Sequence, residues 1–170
     1  MAEAKKTITV NLEVKELMFD LMNKAYLTGR AREFEQAKGY EAASNMQASD
    51  DNEDSYQLRR SLANSFSSLK SLLGEYLDER ETTTRNLIND EIDNDGTLSL
   101  GFKMPSNYNL SSVDALGQNI HAYLVSTSLS EWFTITNKAD AADYLQKSAA
   151  DLEIVRRAMY KRSRPERPEY

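Results

Sequence analysis

Near the middle of the chain, Glu91-Ile92-Asp93-Asn94-Asp95-Gly96 places oxygen-bearing side chains at alternate positions ahead of a glycine, which is how a calcium-binding loop begins. Such a loop closes on a bidentate glutamate at its twelfth position, and here that position is Phe102. Its first position is Glu91 rather than aspartate, and the residues that follow alternate like a strand instead of continuing as a helix. The better reading is a tight turn, because Asp93-Asn94-Asp95-Gly96 supplies the Asn/Asp-Gly chemistry that joins two strands. Gly96 and Gly101 have the spacing of a phosphate-binding loop, but Phe102-Lys103 follows where Gly-Lys-Ser/Thr is required, and the context is turn-to-strand.

His121 is the one histidine. A general base needs a nucleophile within hydrogen-bond reach and a group that orients it, and no Gly-x-Ser-x-Gly elbow is present. A paired, structural histidine is the expectation. The 27 acidic residues allow carboxylate pairs to be drawn almost anywhere, so none identifies a glycosidase. With no cysteine there is no disulfide, thiolate nucleophile or cysteine-type zinc site. No catalytic, cofactor-binding or metal-ligating residues are assigned.

The elements that would position any site read as mainly helical. The chain has 170 residues, 40% apolar and 28% charged, which are ordinary globular values for one domain. No run approaches the roughly eighteen apolar residues of a membrane span, and Ala2-Glu3-Ala4-Lys5-Lys6 lacks the apolar core of a signal peptide, so a cytosolic, membrane-free protein is expected. Residues 1–38 read as a strand (Thr7-Ile8-Thr9-Val10-Asn11-Leu12 alternates) followed by a helix with Val14, Leu17, Met18, Leu21 and Ala25 on one stripe, ending near Gly39. Residues 39–54, rich in Ala, Ser, Asn and acid, read as a loop. A helix over 55–81 carries Leu58, Leu62, Phe66, Leu69, Leu73 and Tyr76, with a serine face (Ser61, Ser65, Ser68) suited to close packing on a neighbouring subunit.

Over 82–104 the period changes to two and predicts a β-hairpin, with Leu87–Ile92 going out and Thr97–Phe102 returning. Residues 111–162 predict a helical hairpin. Its first helix has the stripe Val113, Leu116, Ile120, Tyr123, Leu124, Thr127, and its second has Ala141, Leu145, Ser148, Leu152, Val155, Met159. A loop around Trp132–Thr136 joins them, with Trp132 and Phe133 as a core plug, and Ser111/Asp114 and Asn137/Asp140 resemble capping boxes. The fold class predicted is mainly α, a four-helix bundle-like domain with a small antiparallel sheet made of the N-terminal strand plus one hairpin.

Charge is unevenly distributed. The total is −6, yet residues 156–170 hold six Lys/Arg against two Glu, so an acidic body ends in a basic segment. Arg156, Arg157, Lys161, Arg162, Arg164 and Arg167 form the cluster, and Pro165 and Pro168 hold residues 163–170 extended. Two partners could use it: DNA, or the acidic surface of an adjacent protein. The acidic body opposes DNA, which favours protein docking through bidentate arginine–carboxylate contacts. Glu91, Asp93 and Asp95 at the hairpin tip are expected to contact a neighbouring subunit.

Met104-Pro105-Ser106-Asn107-Tyr108-Asn109, Ile120-His121-Ala122-Tyr123-Leu124-Val125, Glu131-Trp132-Phe133, Thr136-Asn137-Lys138 and the ending Lys161-Arg162-Ser163-Arg164-Pro165-Glu166-Arg167-Pro168 together give the chain a resemblance to small neck or connector proteins of tailed bacteriophages and prophages of gut bacteria. What the resemblance implies is a non-enzymatic virion protein, assembled in the host cytoplasm. It would form a homo-oligomeric ring, twelve-fold by analogy with portal-bound rings, against the portal and other neck or tail proteins. DNA would pass through without specific recognition. The contrasting expectation from the residues is a cytosolic adaptor or inhibitor that binds a host or phage protein through its acidic body.

Overall fold

The alternation of Thr7 to Leu12 becomes strand β1 (Lys6–Glu13), with Ile8, Val10 and Leu12 buried and Thr7, Thr9, Asn11 and Glu13 exposed. In this computed structural model residues 5–33, 47–48, 52–84, 92–93 and 95–165 are described, and structural statements refer to these. The strand passes directly into α1 (Val14–Glu33), whose stripe of Val14, Leu17, Met18, Leu21 and Ala25 is buried as predicted. Gly39 and most of the 39–54 segment lie outside the described residues. Helix α2 (Asn52–Leu72) begins three residues before the predicted start, with Glu53 and Asp54 in its first turn, where carboxylates offset the exposed N–H groups. It stops at Leu72 rather than 81. Gly74–Tyr76 tightens into a 3₁₀ turn, and Leu77 then pairs with Phe102 as an isolated antiparallel bridge.

Strand β2 (Thr97–Met104) pairs antiparallel with β1, from Lys6 opposite Met104 to Glu13 opposite Thr97. Ile8–Phe102, Val10–Leu100 and Leu12–Leu98 therefore face each other on the core side. β2 does not take the predicted hairpin partner. Its turn is there, since the Gly96 N–H donates to the Asp93 carbonyl at 3.0 Å, but Ile92 and Asp93 belong to no strand and residues 85–91 lie outside the described ones. The place of the expected partner on β2 is taken by residues 77–83, and the Gly96 carbonyl accepts the Val14 N–H at 3.0 Å, tying the turn to the β1–α1 junction.

After a 3₁₀ turn at Leu110–Ser112, with the Asn109 side chain accepting the Ser111 N–H at 3.1 Å, comes α3 (Val113–Thr136), two residues later than the predicted start at Ser111. Trp132 and Phe133 do not form a loop; they are buried within α3, and Asn137 alone makes the turn into α4 (Lys138–Met159). One residue serves both ends. The Asn137 N–H donates to the Phe133 carbonyl at 2.7 Å, its Oδ1 accepts the Ala139 N–H at 3.0 Å, and its Nδ2 donates to Asp140 Oδ2 at 2.7 Å. Among the described residues this makes four α-helices and a two-stranded antiparallel sheet, the mainly α class with a small sheet.

Helix α3 is the hub, packing against α4, α2, α1 and β1. Its second half is buried on almost every side, including Val125, Ser126, Ser128, Leu129 and Ser130. The serines let neighbours approach closely: Ser65 and Ser128 hydroxyls meet at 3.0 Å between α2 and α3, and Ser126 Oγ donates to Asp151 Oδ2 at 2.8 Å between α3 and α4. The serine face of α2 thus packs inside the chain, with Ser61 and Ser65 buried and only Ser68 exposed. On α4 the predicted stripe fails at Leu145, which is 60% exposed; Tyr144 makes the contact instead, its ring stacked on Phe133 at 5.3 Å.

Candidate interaction surface

The basic segment begins where α4 ends. Arg156 and Arg157 lie exposed in its last turn, where cations suit the helix dipole, and Arg156 pairs with Glu153 at 2.8 Å. The chain then folds back on itself. Arg162 bridges to Tyr108, the Asn109 N–H donates to the Lys161 carbonyl at 3.1 Å, and the Ser163 N–H donates to the Asn107 carbonyl at 2.8 Å. Arg162 also caps its own helix through an Nη1 bond to the Met159 carbonyl at 2.9 Å and lies over the Tyr160 ring. Tyr108 anchors this knot: it is fully buried, its hydroxyl donates to the Ala158 carbonyl at 3.1 Å, and burial pushes its ionisation up. Arg162 is thereby engaged within the chain. Arg157, Lys161, Arg164 and Pro165 are exposed, with no carboxylate held by the three cations among the described residues; Arg167 and Pro168 lie outside them. Of the predicted tip residues, Asp93 and Asp95 are exposed, and Glu91 lies outside the described residues.

At the other end of β1 lies a feature that no periodicity announced. A cleft of about 510 Å³ opens between the end of β1, the start of α1 and the start of α3. Glu13, Glu16, Asp20 and Asp114 line it together with His121, and no lysine or arginine does. Two of these acids also stabilise the helices that carry them, since Glu16 and Asp114 sit in the first turns of α1 and α3. His121 Nε2 lies 2.7 Å from Asp20 Oδ2, a half-exposed pair joining α1 to α3. Among the described residues no group of three or more His, Cys, Asp or Glu is arranged to hold a metal ion.

The two edges of the small sheet differ sharply. On β2, Ser99 and Gly101 turn their backbone groups away from β1 and spend them on residues 78–83. The Thr83 N–H donates to the Ser99 carbonyl at 2.9 Å, the Asp78 N–H to the Gly101 carbonyl at 2.8 Å, and the Thr83 and Thr82 hydroxyls accept the Ser99 and Gly101 N–H groups at 2.9 and 3.1 Å. Gly101 must be glycine, because a Cβ there would meet Glu81, including its backbone. Asp78 locks the strap: its buried carboxylate accepts the Arg80 N–H at 3.2 Å and pairs with Lys103 at 3.3 Å, and those contacts, the Arg80 N–H first, hold its ionisation below the usual carboxylate range. On β1 the residues opposite Gly101, Ser99 and Lys103 are Thr9, Asn11 and Thr7. In an antiparallel ladder both members of such a pair turn their backbone groups outward together, so those of Thr7, Thr9 and Asn11 face away from β2, and no backbone bond of theirs is made to any described residue.

Comparison with protein families, curated proteins and solved structures finds no match to this chain. No described helix is long and apolar enough to cross a membrane.

Proposed function

We propose that the chain is a structural protein of a tailed-phage particle, a ring-forming head–tail connector, neck or tail-barrel subunit that assembles below the portal and works by docking rather than by catalysis. The observation that carries this reading is the disposition of its surface. Arg157, Lys161 and Arg164 stand exposed, with no carboxylate partner among the described residues, around an anchored α4 terminus. Phe19, Tyr26 and Leu27 stand exposed on α1, with Phe19 63% accessible. A free cationic group beside a fixed anchor suits the acidic surface of a neighbour, and an exposed apolar row on a helix suits burial against another chain. The resemblance of the 104–168 region to phage connector proteins agrees with both features.

The test is incorporation into particles. Truncation after Ser163 spares the Ser163–Asn107 bond, so the truncated chain should keep its helical circular dichroism and melting midpoint yet fail to enter particles. Native mass spectrometry or negative-stain microscopy of the particle should show the full chain in a closed ring. A strictly monomeric protein absent from purified particles sinks the reading, and normal incorporation of the truncated chain removes the basic segment from it.

A further inference from the structure

We propose that the outward edge of β1 is a self-association site. A second copy of this chain adds its own β1 there, antiparallel, so that two two-stranded sheets become one four-stranded sheet across a two-fold axis. The inference stands apart from the phage reading, since it rests on the edge itself.

Three observations carry it. Natural edge strands are blunted by proline, bulges, inward-pointing charge or a covering segment, and β2 has such a cover in residues 77–83. β1 has none of these among the described residues: it runs eight residues in unbroken register, contains no proline, and leaves the backbone groups of Thr7, Thr9 and Asn11 unused. The second observation is sheet size. Two strands alone are marginal, whereas joined copies would extend the buried row of Ile8, Val10 and Leu12 across the axis.

The third observation is charge, and it selects both direction and register. β1 is polar along its length, with Lys5 and Lys6 at one end and Glu13 at the other, where Glu16 and Asp114 line the adjoining cleft. Parallel addition would lay like charges side by side. Antiparallel addition lays the lysine end of each copy on the carboxylate end of the other. Outward-facing residues must pair with outward-facing residues, so the allowed registers differ by two. The register centred on Thr9 pairs Thr9 with Thr9, Thr7 with Asn11, and Lys5 with Glu13. Sliding it one step toward the helix sets Lys5 against Lys15, and sliding it the other way takes Glu13 off Lys5.

Because the natural chain contains no cysteine, a single Thr9→Cys change makes any disulfide intermolecular. In the proposed register the two Cys residues oppose each other as a hydrogen-bonded pair with Cα atoms about 5.5 Å apart, within the range a disulfide spans. Under mild oxidation T9C should therefore form covalent dimer at least about tenfold faster than T7C, whose two copies sit about 13 Å apart across the axis, four residues at roughly 3.3 Å each. In sedimentation equilibrium the full-length wild type should dimerise, and Thr9→Lys, which sets like charges opposite each other at an exposed position, should raise the dimer dissociation constant at least about tenfold with unchanged circular dichroism. T9C cross-linking no faster than T7C, a wild-type chain that stays monomeric, or dimerisation indifferent to T9K would each overturn the proposal.

Discussion

Two strands of equal length lie side by side in this protein, and among the described residues only one has its outer edge closed. The outer side of β2 is strapped by residues 77–83 through backbone and threonine hydroxyl bonds, with a glycine where the strap crosses and an Asp78–Lys103 pair to hold it. The outward backbone groups of β1 make no backbone hydrogen bond to any described residue. Sealing an edge takes residues committed to it along the strand: two threonines aimed at amides, a glycine to admit them, and an acid to fix the turn. Among the described residues none of that chemistry is directed at β1, and the difference separates an edge closed within the chain from one that the proposed second copy would close.

The comparison can be broken from the β2 side. The largest effect expected is from Phe102→Ala, which empties a fully buried position that pairs with Ile8 and is bridged by Leu77; it should cost about 3–5 kcal/mol in urea unfolding. Gly101→Ala should come next. Its methyl would press on Glu81, including the main chain, so the strap must lift, at about 1–3 kcal/mol. The same change at Thr9, directly opposite across the ladder, should cost under about 0.5 kcal/mol, as exposed substitutions do. Thr82→Val should be smaller than G101A, at about 1–2 kcal/mol, because it leaves the Gly101 N–H without its acceptor.

How far these relations were legible in the sequence depended on whether their cause was local. The α2 stripe of Leu58, Leu62, Phe66 and Leu69 is buried throughout, and Leu73 just beyond it, since a helix covered on one side records its burial in its own period. The later half of α3 records nothing of the kind: covered on several sides, it fills them with Ser126, Ser128 and Ser130, which a stripe analysis reads as solvent-facing. On α4, Leu145 has the right spacing and the wrong environment, because the single-residue turn at Asn137 brings Tyr144 onto Phe133 instead. The turn at Asp93–Gly96 was visible because its chemistry is contained in four residues. That β2 would share a sheet with the N-terminal strand was expected; that its other neighbour would be residues 77–83 was not, because that strap is irregular and held by tertiary bonds. Likewise the acidic cleft is assembled from three elements, so neither its carboxylates nor the open edge beside it could be found by spacing along any one of them.

A pH series sharpens the comparison further, with the smallest expected effect. The contacts of Asp78 lower its ionisation in the folded chain, so its carboxylate stabilises the strap above the ordinary aspartate range, and that contribution is lost as pH falls through the lowered folded value. Asp78→Asn should therefore be less stable than wild type at neutral pH, with the gap closing only in acid. A gap independent of pH would mean that the side chain acts through packing alone.

The most direct measurement is amide hydrogen exchange, resolved by residue, across a range of protein concentration. The Ser99 and Gly101 amides should be protected at every concentration, because their acceptors belong to the same chain. Those of Thr7, Thr9 and Asn11 should exchange as open amides in dilute protein and gain protection as copies associate, while remaining open in T9K. Protection of Thr9 and Asn11 in the dilute monomer, or no protection at any concentration, would contradict the account.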